Sequence, residues 1–386
     1  MNHASEASAT SLLPRYASEL GGTIEEFAAV SIAEQVRILD SVIEYRDVGI
    51  DLLDESSMMR TATFKAPLAA VAVAQALRDR RRRFVTVSAG NTAEAMAAYA
   101  VPHGMECFLF VTGISHYKLD SHFLNHPCVH LFELDVPEQQ LKQIGAEFGR
   151  QMQLGMLPAP EHQLNANKLR ALYLAEEYER GRRWYDWTVQ SISGGFGPIG
   201  FYKGMEELVV NGRWPADEIP SFLGVQQEGN CPLTPNGAAT GSAGVPLIEP
   251  TLYATRPSGA AELRRMTRHY GGGFVKVGNR SYFDREKQLL DMLAAHGLAV
   301  GRSLFTPEQP LVERSGLLAL LGALEAVDQG MIPRGSRVLV CFTGGCSPDL
   351  REPVQPEFKL AAGEPVDWFW KAVAGHVGSA SGTVPV

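Results

Sequence analysis

The stretch Phe84-Val85-Thr86-Val87-Ser88-Ala89-Gly90-Asn91-Thr92-Ala93-Glu94, read with Cys107-Phe108-Leu109-Phe110-Val111 beyond it, decides the fold class. The β-branched run Phe84 to Val87 predicts a short strand. It stops on small residues, and Glu94 to Tyr99 predicts a helix, with Asn91 and Glu94 at the Asx-x-x-Glu spacing of a capping pair. Cys107 to Val111 predicts the next strand. Strand, glycine turn, helix and strand make a βαβ unit, whose strands lie parallel in one sheet.

Working outward, the same alternation continues. Upstream, Lys65 opens a very apolar helix, Ala66 to Ala76, and the arginine-rich run Arg78 to Arg83 is expected as its solvated, dipole-complementing end. Thr23 to Tyr45 is expected to be helical, because Phe27, Ile32, Val36, Leu39 and Ile43 recur mostly every three to four residues. Downstream, strands are expected at Val129 to Leu134, Trp187 to Ile192, Pro220 to Val225 and Arg337 to Phe342. Helices are expected at Glu138 to Met152, Asn167 to Arg180, Phe201 to Val210, Glu286 to His296 and Ser315 to Gln329. A chain of 386 residues with this pattern predicts two domains, or one large α/β unit with a mobile lobe.

Composition narrows the function classes. The formal net charge of -8 argues against a protein that binds nucleic acid by broad phosphate neutralisation. The longest apolar stretches, Ala66 to Leu77 and Leu317 to Val327, are too short or too polar to span a membrane. Five scattered cysteines without CxxC spacing fit a reducing compartment, and residues 1–20 show no signal-peptide pattern, so a cytoplasmic location is expected. His116, His122, His126 and His130 cluster, but Pro127 interrupts any helix there; a lid role is favoured and no metal site is assigned. No GxSxG hydrolase signature occurs.

Three predicted strands end in small, glycine-containing turns: Ser88 to Thr92, Ser193 to Gly200 and Thr343 to Ser347. Ligands of parallel sheets bind beyond the carboxyl ends of strands. Four glycines in Ser193 to Gly200, before a helix, make a phosphate cradle, with Pro198 suited to a first helical turn. Gly195, Gly197 and Gly200 also spell GxGxxG, which keeps open a dinucleotide-dependent oxidoreductase using Gly195 to Gly200, with Glu228 as a late acidic residue. Lys65 stands among small, apolar and hydroxylic neighbours, where a lysine can serve as a nucleophile toward an aldehyde. Glu228, Asn230 and Cys231 are candidates for a far wall of the pocket.

The order of these segments resembles the fold-type II pyridoxal-phosphate-dependent enzymes, the tryptophan synthase β family. Thr63-Phe64-Lys65 resembles the motif that carries the Schiff-base lysine. Ser88-Ala89-Gly90-Asn91-Thr92 resembles the family's asparagine loop, Ser193 to Gly200 its phosphate loop, Val312 to Gly316 a late conserved-pattern segment, and Thr343-Gly344-Gly345 its last strand-end turn. Threonine synthase and cysteate synthase look nearest. The resemblance implies two three-layer α/β domains with mostly parallel twisted sheets and the cofactor between them. The smaller, mobile domain would cover residues 56–165, the larger 13–55 and 166–378, with tails at 1–12 and 379–386.

Carried over, the resemblance implies pyridoxal 5'-phosphate as cofactor and Lys65 as the catalytic lysine. Asn91 would meet the cofactor's phenolic oxygen. Ser193, Gly194, Gly195, Phe196 and Gly197 would hold its phosphate, and Thr343 would face the pyridine nitrogen. Ser88, Ala89, Gly90 and Thr92 would bind the substrate carboxylate. A neutral hydroxyl at the pyridine nitrogen suits β- or γ-elimination and replacement on an amino acid with an activated, for instance phosphorylated, side chain. A homodimer is the family expectation. Thr343-Gly344-Gly345-Cys346-Ser347-Pro348-Asp349 departs from the threonine synthase pattern, which opens the alternative of a catalytically degenerate cofactor-binding protein.

Overall fold

The computed structural model describes residues 11–32, 34–88, 90–113, 119–235, 245–298, 301–302, 310–311, 314–344 and 354–379. Its strands are β1 (Arg37–Tyr45), β2 (Val48–Asp54), β3 (Arg83–Ser88), β4 (Glu106–Val111), β5 (Val129–Leu134), β6 (Gly155–Met156) and β7 (Trp187–Ser191). They continue with β8 (Ser221–Gln227), β9 (Gly272–Val277), β10 (Gly301–Arg302), β11 (Pro310–Leu311), β12 (Arg337–Phe342) and β13 (Phe358–Leu360). One sheet runs β1-β2-β12-β7-β8-β9 and another β13-β5-β4-β3-β6. The second is parallel throughout; in the first only β1 and β2 are antiparallel. β10 and β11 form a short antiparallel ladder of their own.

Parallel strands need helical crossovers, and these cover both faces of each sheet. On the second sheet, Leu141, Ile144 and Phe148 recur at helical spacing in Glu138–Gln151 and pack on Val85, Phe108, Phe110 and Phe132, with Phe369 of the helix Asp367–Ser379. Its other face meets Lys65–Arg78 and Asn91–Ala100. The first sheet packs Arg314–Asp328 on one face and Phe196–Val210 on the other. The largest apolar cluster draws on both sheets. The expected α/β class with two three-layer, mostly parallel units is what the chain adopts. Among the described residues no helix is long and apolar enough to cross a membrane.

Three expectations are corrected. The helix expected over Thr23 to Tyr45 is only Ile24–Val30, held by a capping box between Thr23 and Glu26. Residues Arg37–Tyr45 instead form β1, hairpinned to β2 through Arg46 and Asp47 at φ 49 and 65. Both turn residues take the left-handed region that a tight two-residue hairpin demands, and pairing with the almost wholly buried β2 overrides the apparent helical spacing. In addition, β13 pairs with β5 in the sheet of residues 83–156, although residues 166–378 were expected with the other sheet. The arginine run also divides: the helix stops at Arg78, whereas Arg83 starts β3 and pairs with Glu106.

Candidate active site

The segment before Lys65 is stitched to the end of β12. Thr63 bridges Gly344, and the Phe64 N–H donates to the Thr343 carbonyl at 2.9 Å. The Lys65 N–H donates to Thr63 Oγ1 at 2.9 Å, which starts the helix Lys65–Arg78. Pro67 lies in the first helical turn, where its missing N–H has no intrahelical partner to lose. The helix can be buried on nearly every side because it is built of alanine, valine and leucine. Lys65 itself stays half-buried at its mouth, with Nζ 4.1 Å from the centroid of the Phe64 ring.

The same ring reaches the second glycine turn. A Cβ placed on Gly197 would lie 3.3 Å from Phe64 Cε2 and 2.7 Å from Gln190 Nε2. Lys65 and Ser193 to Gly200 therefore converge on one phenylalanine. The turn leads from β7 into the helix Phe196–Val210, whose N-cap is Gly195 at φ 94. The Gly194 carbonyl accepts from the Gly259 N–H at 2.8 Å, which fixes the turn from behind. First-turn amides have no acceptor inside a helix and point outward, toward an anion if one is present. Ser191 Oγ, at the carboxyl end of β7, is buried without a hydrogen-bond partner. A cradle without room for a Cβ at Gly195, Gly197 and Gly200, first-turn helical amides and a lysine sharing its phenylalanine fit a phosphate-bearing aldehyde cofactor.

The first glycine turn arrives from the other sheet. Gly90, at φ 135, is the N-cap of Asn91–Ala100, and its N–H donates to Ser88 Oγ at 3.0 Å. Asn91 is thus the first helical residue, not the cap expected from its spacing to Glu94. Glu94 Oε2 instead accepts from the Asp120 N–H at 3.2 Å. The helix Asn91–Ala100, which Gly90 caps, packs against Lys65–Arg78. Thr343 is buried at the end of β12, beside Phe64. Ala89, His116, Val312, Glu313, Gly345, Cys346 and Ser347 lie outside the described residues.

Other candidates make local contacts of their own. Glu228 Oε2 accepts from the Asn279 N–H at 3.0 Å and so caps the helix Asn279–Ala295. Asn230 Oδ1 accepts from the Ala254 N–H at 2.9 Å, and Cys231 is buried. Arg314 and Gly316 start a helix: the Arg314 N–H donates to Glu249 Oε2 at 3.0 Å, and a Cβ on Gly316 would meet Phe342 at 2.3 Å. His122 approaches Arg60, whereas His130 lies between Glu106 and Glu357 and stacks on Phe108. Among the described residues no three His, Cys, Asp or Glu side chains could hold a metal ion.

Sequence reading missed a buried layer directly beneath Phe64. Arg170, Glu55 and Gln190 meet there, with Arg170 Cζ 5.1 Å from the Phe64 centroid. An arginine flanked by Leu169, Ala171 and Leu172 on a largely buried helix was the available signal.

Comparison with known proteins is decisive for the family. The pattern described as pyridoxal-phosphate dependent enzyme matches residues 47–344, which include Lys65, both glycine turns and Thr343. The chain belongs to the pyridoxal-phosphate-dependent enzymes. Enzymes of this family depend on pyridoxal phosphate, so the dinucleotide reading of Gly195 to Gly200 is set aside. Among solved structures, O-ureido-L-serine synthase is similar at TM-score 0.59 and 14% identity, over 83% of this chain and 91% of that one. Maize serine racemase is similar at TM-score 0.56 and 15% identity, over 89% and 93%. An O-acetylserine-dependent cystathionine beta-synthase from Helicobacter pylori gives TM-score 0.54 and 16% identity, over 84% and 95%. At such identities the likeness establishes the fold of this family member. No curated protein matches the chain significantly.

Proposed function

We propose that this pyridoxal-phosphate enzyme catalyses β- or γ-elimination or replacement on an amino acid whose side chain carries a leaving group. The observation that carries the reading is the shared Phe64 ring, 4.1 Å from Lys65 Nζ and 3.3 Å from the Cβ position at Gly197. Bound between them, the cofactor supplies an electron sink for the substrate Cα. Lys65 would hold its aldehyde carbon and move the proton at Cα. Backbone amides of Gly194, Gly195, Phe196 and Gly197, with the Ser193 hydroxyl, would hold its phosphate. Asn91 would serve its phenolic oxygen, and Thr343 would offer a neutral hydroxyl to its ring nitrogen. Ser88, Ala89, Gly90 and Thr92 take the substrate carboxylate. Names of similar structures, O-ureido-L-serine synthase, O-acetylserine-dependent cystathionine beta-synthase and threonine deaminase, support a substrate with oxygen on its β-carbon.

The test has two stages. Purified protein with pyridoxal phosphate should show a visible absorption band that borohydride abolishes, with the reduced adduct found at Lys65 by peptide mass spectrometry. Lys65→Ala should lack both; an unchanged spectrum removes the assignment. A panel of O-substituted serines and homoserines, read as 2-oxo acid release or product formation, then tests turnover. Cofactor capture with no turnover of any of them would favour the degenerate cofactor-binding protein.

A further inference from the structure

The roles above leave unused a buried charge pair beside the Phe64 ring. Arg170 Nε donates to Glu55 Oε1 at 2.7 Å, and its Nη1 donates to Gln190 Oε1 at 2.6 Å. Arg170 is 2% exposed and Glu55 4%. Yet Glu55 Oε2 and Arg170 Nη2 are buried without hydrogen-bond partners. Apolar residues of similar volume commonly match or exceed the stability of a buried ion pair. Stability alone therefore does not account for a half-satisfied pair at this place.

Its surroundings point to the lysine. One phenylalanine ring carries two cations, with Lys65 Nζ at 4.1 Å and Arg170 Cζ at 5.1 Å from the Phe64 centroid. The Glu55 N–H donates to the Phe342 carbonyl at 3.1 Å and the Phe64 N–H to the Thr343 carbonyl at 2.9 Å. Carboxylate and lysine thus hang from the same strand end. Glu55, which follows β2, is in electrostatic reach of Lys65, and Arg170 of the helix Leu169–Glu179 shares the Phe64 ring with it. Asp54 neighbours Glu55 but is itself held by Arg37 Nε at 2.9 Å and by Ser56 and Ser57. Burial pushes the Glu55 carboxyl up, while the Arg170 and Lys65 charges pull it down.

We propose that Arg170 and Glu55 are positioning residues that set the charge state of Lys65, acting on its ammonium with opposite sign and in balance. The inference rests on the reading of Lys65 as the cofactor lysine, but its test does not need the cofactor. Competitive acetylation of the full chain with acetic anhydride, read at Lys65 by peptide mass spectrometry across a pH series, gives the protonation midpoint directly. Arg170→Gln leaves the carboxylate unbalanced and should raise that midpoint by about one pH unit; Glu55→Gln should lower it by about as much. The double variant Glu55→Gln/Arg170→Gln should return close to the unmodified protein. A purely structural role would move both single variants the same way. Shifts of one sign, or no shift in single variants that remain folded by circular dichroism, overturn the proposal. Where one single variant does not fold, the other decides together with the double variant: an unshifted single variant overturns the proposal, and one shifted in its stated direction with an undisplaced double variant upholds it. Borohydride trapping of pyridoxal phosphate on the unmodified protein separates the two readings. Missing adduct at Lys65 with opposite acetylation shifts intact would remove the cofactor assignment and leave the charge balance standing.

Discussion

Replacing Gly195 with alanine probes the cradle where both backbone and space exclude a side chain. Gly195 sits at φ +94, and a Cβ there would come within 2.7 Å of Leu263 Cδ1 and 3.5 Å of Gly259 Cα. Two penalties add. Left-handed backbone costs a residue bearing a Cβ about 1–2 kcal/mol. Overpacking against Leu263, which is fully buried, costs about 1–3 kcal/mol more. The smaller conformational freedom of alanine in the unfolded chain returns roughly 0.4–1 kcal/mol. The expected net loss is about 1–5 kcal/mol, centred near 3. Gly212 supplies the control, because it has φ +69 but no atom within 4 Å of its Cβ position. Gly212→Ala therefore carries only the backbone penalty, about 1 kcal/mol after the entropic offset. Urea denaturation of both variants measures the difference. Titration with pyridoxal phosphate, followed by absorbance, should show Gly195→Ala weakened about tenfold or more, equivalent to roughly 1.4 kcal/mol, and Gly212→Ala unchanged. Equal destabilisation of the two variants, with cofactor affinity intact in Gly195→Ala, would refute the assignment of this turn as a close-fitting cradle.

Three further outcomes follow from burial. Burial pushes the Cys341 thiol up to about 12 and the Cys107 thiol higher still, so neither should react with an aromatic disulfide reagent at about pH 8 until the protein unfolds. Prompt labelling of either in the native protein would contradict the placement of β4 and β12. His162 is nine-tenths buried, its Nδ1 accepts from the Ala159 N–H at 3.1 Å, and burial lowers its pKa from 6.5. The folded state then disfavours the proton: stability is intact above about pH 6.5 and falls as pH drops below it toward the folded value. His162→Gln should flatten that acid-side slope in urea midpoints measured across a pH series; an unaltered slope would show that His162 does not contribute. Glu34 is fully buried and accepts from Tyr99 Oη, Ser11 Oγ and the Ile32 N–H. Tyr99→Phe removes one donor from that carboxylate and should cost about 1.5–3 kcal/mol by urea denaturation; a loss within error of zero would mean that water replaces the hydroxyl.

Periodicity carried most of the fold. The βαβ reading of Phe84 to Val111 was sufficient because β-branched strands, a glycine turn and an alanine-rich helix each favour one local structure, and they agree. It failed where two elements of unlike period abut. Phe27, Ile32, Val36, Leu39 and Ile43 keep a helix-like spacing across a helix, a connection and a strand. The hairpin is decided by Arg46 and Asp47, neither of them glycine, and by the burial of β2 against β12. β13 escaped because Phe358–Leu360 is three residues long and gains its sheet only through a partner more than two hundred residues earlier.

The site divides along the same line between local and non-local information. Lys65, the two glycine turns and Thr343 are legible as candidates because each belongs to a short local motif of small residues or of one reactive residue. Glu55, Gln190 and Arg170 belong to no motif. They come from the end of β2, from β7 and from the helix Leu169–Glu179, and only the folded sheet brings them together under Phe64. Phe64 is where the two kinds of information join. Its sequence neighbour is the lysine, and its spatial neighbours are Gly197, which touches Gln190, and Arg170. A change at Arg170, distant in sequence from every motif, therefore acts on the lysine's proton and on the glycine turn through one ring and one amide. A substitution on the exposed arginine run at residues 80–82 has no such route, and should leave both untouched.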